Sequence, residues 1–111
     1  MGDVARHIAN AEEGWFRHIV TRELNDWPSA YTAQDYPSVD AVKALLQEVN
    51  SSTVAYLKDV DAVDVDQRIQ LPWGPEVTLR WVVWHVLEHE IHHRGEIYLM
   101  VGLLGMEAPD V

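Results

Sequence analysis

The amino-acid sequence predicts an all-α protein, an up-and-down bundle of three long helices in a single domain over residues 1–111. Two observations carry this: three stretches repeat apolar residues at helical spacing, and 111 residues leave room for one compact domain. The first stretch, from about Asp3 to Glu23, places Val4, Ile8, Ala11, Trp15 and Ile19 on one face, with Glu12, Glu13 and Arg17 off it. Asn25, Asp26, Pro28, Ser29 and Pro37 then break the pattern and predict a connecting loop. Ser38 suits the N-cap of a second helix, whose face is Val42, Leu45, Leu46, Val49, Thr53, Tyr56, Leu57 and Val60, where it ends. Arg68–Leu71 and Glu76–Leu79 flank a Pro72-Trp73-Gly74-Pro75 turn and predict a short β-hairpin. The third helix is expected from about Leu79 to Leu104. Thr78 can cap its start, Gly105 suits a left-handed C-terminal residue, and Pro109 lies beyond. Val82, Val86, Ile97, Met100 and Leu104 occupy one side of it and Trp84, Leu87, Ile91 and Tyr98 another, which predicts burial on more than one face. The five tryptophans are assigned to packing.

Composition removes several functions. At 48% hydrophobic residues the chain is not wholly disordered, yet no apolar run approaches the roughly 20 residues of a membrane span. A net charge of −10, with eight scattered Lys and Arg residues, repels a phosphate backbone, so no nucleic-acid partner is expected. Without cysteine there is no disulfide, no thiolate metal site and no cysteine nucleophile. Met1-Gly2-Asp3 lacks the start of a secretory signal, and a cytoplasmic location is expected. Asp59, Asp61, Asp64 and Asp66 lack the spacing of a calcium loop and read as solvated surface.

Chemistry concentrates in the third helix, where His85, His89, His92 and His93 fall within nine residues. At roughly 100° per residue, His89 and His93 stand one turn apart in line with Val82, Val86, Ile97 and Met100, so both are expected to face the core. Two imidazoles so placed can supply half a zinc site, with metal–nitrogen bonds of about 2.0–2.1 Å. His7 is the candidate third ligand, because it borders the apolar stripe of the first helix near the small residues Ala11 and Gly14. Three neutral histidines leave a coordination position open, as catalytic sites do. His85, His92 and Glu96 are candidates to hydrogen-bond those ligands from behind. The same residues spell His89-Glu90-Ile91-His92-His93, an H-E-x-x-H pattern in which Glu90 would be the general base of a zinc hydrolase. That reading ranks lower, because one small bundle leaves little chain for a substrate cleft. Glu90 is expected instead to pair with Arg94 on the helix surface. His18 has no partner that the sequence identifies.

His89-Glu90-Ile91-His92-His93-Arg94-Gly95-Glu96-Ile97, followed by Leu103-Leu104-Gly105, resembles the closing helix of the DinB/YfiT-like family, whose signature is close to H-x-x-H-H-R-G-Q. His7-Ile8-Ala9-Asn10-Ala11-Glu12 with Trp15 is similar to the family's first ligand helix. The resemblance implies a bundle that binds a divalent ion, commonly zinc or nickel, through His7, His89 and His93. It also implies a thiol S-transferase of the kind that uses bacillithiol or mycothiol, or a mycothiol-dependent isomerase, with the metal activating a low-molecular-weight thiol. The rival expectation is a non-enzymatic, stress-associated bundle in which the metal only ties helices together. Two departures stand out: Glu96 replaces the usual Gln, and the helix that precedes the family's first ligand helix has no counterpart here. Three walls instead of four would expose apolar surface, so a homodimer is expected.

Overall fold

The computed structural model describes residues 1–110, which form three helices and one small hairpin. Helix α1 spans Gly2–Glu13 and runs on without a break as a π-helical segment, Gly14–Val20. Helix α2 spans Val39–Lys58, and a short turn of 3₁₀ helix, Ala62–Asp66, leads to strand β1, Arg68–Gln70. Strand β2, Glu76–Thr78, pairs antiparallel with β1, placing Ile69 opposite Val77, and passes straight into helix α3, Leu79–Leu103. No helix of the described residues is long and apolar enough to cross a membrane.

The caps follow the sequence expectation. Ser38 Oγ accepts from the Ala41 amide at 3.0 Å and Thr78 Oγ1 from the Trp81 amide at 3.1 Å, each satisfying one of the amides that a helix start leaves free. At the far end of α3, Gly105 takes φ +78°. There the Met106 amide reaches the Val101 carbonyl at 3.1 Å and the Gly105 amide the Gly102 carbonyl at 3.0 Å, the bonding of a Schellman stop.

The first helix stops short of the expected Glu23. Arg22 adopts φ +58°, and the Arg17 carbonyl accepts from the Leu24 amide at 3.0 Å, so the chain turns back after Val20. Arg17 clamps this turn from the side chain, with Glu13 at 2.8 Å and Glu23 at 3.1 Å. The loop that follows returns across α1 and seats Trp27 on Gly14. A methyl group at Gly14 would collide with the indole ring itself. Asn10 holds the loop there, donating to the carbonyls of Pro28 and Ser29 at 3.0 Å and accepting from the Trp27 indole N–H at 3.1 Å. Helix propensity alone would make Gly14→Ala stabilising by as much as about 1 kcal/mol. The clash reverses the sign, and urea denaturation is expected to show a loss of about 1–3 kcal/mol.

Helix α1 packs against both α2 and α3, and the core forms two clusters, one around its π-helical extension and one between α1 and α2. One cluster joins Trp15, Phe16 and Ile19 to Ile69 and Leu71 of the hairpin and to Leu79 and Val82 of α3. A smaller one joins Ala9 to Leu45 and Val49 of α2, with Tyr31 and Tyr36 of the loop against it. The expectation that α3 is buried on more than one face is not met. Only Leu79 and Val82 of that helix are buried, while Trp84, Leu87 and Ile91 stay between 42% and 59% exposed. The reason is geometric: α1 covers one side of α3, and no element of the described residues covers the opposite one. For the same reason, packing explains Trp15, which meets Trp27, Trp73 and Trp81 edge-on, but not Trp84.

Candidate metal centre

The packing of α1 on α3 brings together side chains 82 residues apart. His7 Nε2 lies 3.0 Å from His89 Nε2, which lies 3.1 Å from His93 Nε2. The ring centroids of the three pairs are 4.4–4.8 Å apart. Metal–nitrogen bonds of about 2.1 Å place neighbouring donor atoms about 3.0 Å apart at right angles and about 3.4 Å apart in a tetrahedron. The three nitrogens therefore stand at a spacing that one ion can bridge, and they are among the described residues able to do so. The contact from His7 to His89 is also the one hydrogen bond between α1 and α3 among the described residues.

The cluster sits at the rim of the bundle. His7 is exposed and His89 and His93 are half-buried, rather than facing the core as the apolar stripe suggested. His89 and His93 do share one side of α3, as their spacing predicts. The depth differs because the hydrophobic core ends near Val82 and Val86, more than one turn before His93. Burial, followed by the neighbouring His93 and His7, pushes the His89 imidazole down to a pKa of about 4, which keeps it in the neutral, lone-pair-bearing form.

Glu96 stands behind the cluster. Its carboxylate accepts from His93 Nδ1 at 3.1 Å and from His92 Nε2 at 2.9 Å. A carboxylate can only accept, so the His93 proton is held on Nδ1 and the Nε2 lone pair points into the cluster. The hydrogen bond from His93 is the largest effect holding the Glu96 carboxyl below its ordinary range. Glu96 thus touches the cluster directly through His93, and His92 reaches it through Glu96.

His85 does not. Its ring stacks on Trp81 at 4.7 Å and meets Trp15 edge-on at 4.8 Å, with its centroid 6.5 Å from that of His89. The aromatic pair on either side holds it away, and among the described residues it makes no hydrogen bond to the cluster. Glu90 departs further from expectation. It lines a groove with Glu12, Asn50 and Arg94 between the helices and is not in the histidine cluster, so the H-E-x-x-H base has no partner there. The expected Glu90–Arg94 ion pair is absent among the described residues. On the floor of that groove Glu12 is buried, and burial raises its carboxyl above the ordinary range. His18, without a partner in the sequence, contacts the Leu24 carbonyl through Nδ1 at 3.0 Å.

Two features of the site were invisible in the sequence. A cavity of about 240 Å³ adjoins His7, walled by Asp3, Arg6, Asn10, Ala30 and Tyr31. Arg6 is buried there, donating to the Tyr36 carbonyl at 3.0 Å and to Asp3 at 2.6 Å. Tyr31 donates to Glu13, and burial raises its hydroxyl pKa. Ala30, Tyr31 and Tyr36 come from the loop, which carries no periodic signal. The contacts of Trp27 with Gly14, of Asn10 with Pro28 and Ser29, and of Arg6 with Tyr36 lay this loop against the first helix.

Comparison with known proteins agrees with this architecture. Over 93 residues, 82% of its length, the chain is 28% identical to the uncharacterized protein YizA of Bacillus subtilis (strain 168). Over 66 residues, 58% of its length, it is 32% identical to the uncharacterized protein YjoA of the same organism. The matched regions cover 56% and 43% of those proteins, so the chain spans about half the length of the curated relatives it matches. The model of the DinB family matches residues 1–111, and the chain belongs to the DinB family.

Proposed function

We propose that this protein binds a divalent transition metal, zinc or nickel, through the Nε2 atoms of His7, His89 and His93, and that the site is a metal-dependent thiol S-transferase. The convergence of the three nitrogens is the observation that carries the metal site. A divalent ion held there would supply Lewis acidity, lowering the pKa of a thiol that joins it. The protein's own part is positional. Glu96 fixes the tautomer and ring orientation of His93, the desolvated His89 stays unprotonated, and α1 carries His7 to the open rim. With no cysteine in the chain, the thiol comes from outside. The cavity beside His7 is the space that a small thiol or its electrophile would enter.

One observation favours a second reading, a structural metal in a non-enzymatic bundle: His7 to His89 is the sole hydrogen bond between α1 and α3 among the described residues. An ion there would tie two helices together. Cobalt-substituted protein titrated with a small thiol separates the two. A new sulfur-to-metal charge-transfer band and consumption of an added electrophile are expected for the transferase. A metal spectrum that no thiol alters would leave the structural role.

A further inference from the structure

We propose that the small molecule entering the cavity beside His7 carries a carboxylate, and that Arg6 receives it. The reactive end of that molecule rests on the metal reading above. The carboxylate end rests on Arg6 alone.

Arg6 Nε is the one buried side-chain nitrogen or oxygen among the described residues that has no hydrogen-bond partner. Buried polar groups are nearly always paired, and a charged group left short of partners is disfavoured most. No other wall of the cavity supplies the missing acceptor. Asn10 uses its amide on Trp27, Pro28 and Ser29, Tyr31 gives its hydroxyl to Glu13, and the Asp3 carboxylate reaches only Nη2, at 2.6 Å.

The guanidinium is fixed on its other sides. Nη1 donates to the Tyr36 carbonyl at 3.0 Å, and the backbone at Gly2 lies so close that a Cβ there would stand 3.0 Å from Nη2 and 3.1 Å from Nη1. An arginine held in this way gives up little freedom when a ligand arrives.

The edge that remains is Nε with Nη2, the side-on fork that a carboxylate meets through two parallel hydrogen bonds. Asp3 takes half of it. The Asp3 side chain is 94% exposed, and an exposed ion pair of this kind is held weakly. A ligand carboxylate therefore displaces Asp3 readily and gives Nε the acceptor that Asp3 does not. Arg6 and His7 line the same cavity of about 240 Å³, so one small molecule reaches both. The cavity thereby selects an anion in a chain whose net charge of −10 otherwise repels one.

The test compares 3-mercaptopropionate with its uncharged amide, 3-mercaptopropionamide, by isothermal titration of the metal-free and the cobalt-loaded protein. The acid is expected to bind about tenfold tighter or more in both forms, because a charge-assisted fork exceeds a neutral contact. Arg6→Gln is expected to erase that preference and to leave binding of the amide within a few-fold. Asp3→Asn removes the competing carboxylate at an exposed position and is expected to widen the preference severalfold. Asp61→Asn, the same change of charge at an exposed residue outside the cavity, is expected to leave it as it is. Equal binding of acid and amide by the wild type overturns the proposal. So does a preference that survives Arg6→Gln, as it would if the carboxylate bound the metal itself. Should Arg6→Gln fail to fold by circular dichroism, Asp3→Asn decides, and no widening there overturns the proposal. A preference that persists where no thiol alters the cobalt spectrum removes the transferase reading and supports Arg6 as the carboxylate site.

Discussion

His89→Ala is expected to lower affinity for zinc or nickel by well over ~100-fold, because the loss of a residue that only supports a ligand already costs about 10–100-fold. Isothermal titration against a competing chelator measures it. His89 is the chosen position because its Nε2 is the one within 3.1 Å of both other nitrogens. His85→Ala is the matched control on the same helix. Held between Trp81 and Trp15 and without a hydrogen bond to the cluster, it is expected to leave the affinity within a few-fold. Glu96→Gln falls between them, at about 10–100-fold, since an amide accepts a weaker hydrogen bond from His93 Nδ1. The same series can be read as heat stability. Metal at about 100 times its dissociation constant adds about 2.7 kcal/mol to the wild type, and that increment should vanish in His89→Ala. Equal, weak binding by wild type and His89→Ala would remove the metal site.

Leu79→Ala is expected to cost about 2–5 kcal/mol and to lower the melting temperature by about 10–20 °C, measured without added metal. Leu79 is fully buried in the cluster where the hairpin, α1 and its π-helical extension, and α3 meet. It is also the first residue of α3, and its amide donates to the Gln67 carbonyl at 3.1 Å, so the backbone around the lost side chain cannot collapse freely into the void. Few residues of this chain are fully buried, which leaves little else to absorb the loss. Val63→Ala, at a position 82% exposed, serves as the control and should stay within about 0.5 kcal/mol. A Leu79→Ala variant as stable as that control would mean that the hairpin does not close the core.

Helix existence, caps and the shared side of His89 and His93 were all local properties, and each could be read from residue order. Ser38 and Thr78 cap because a hydroxyl on an extended residue at a helix start reaches the free amide three residues on. Gly105 stops α3 because only the backbone needs to be left-handed there. The four-residue spacing of His89 and His93 places them on one side of α3 whatever lies opposite. What the sequence by itself determined was therefore which residues share one side of a helix turn and which side chains make a capping bond. Tertiary structure decided the depth of the cluster, the diversion of His85 to Trp81 and of Glu90 to the groove, the end of the first helix at Val20, and the bare face of α3. Each of these depends on which element lies opposite a given face. That choice is set by the packing of α1 against both neighbours, which periodicity along a single helix cannot encode.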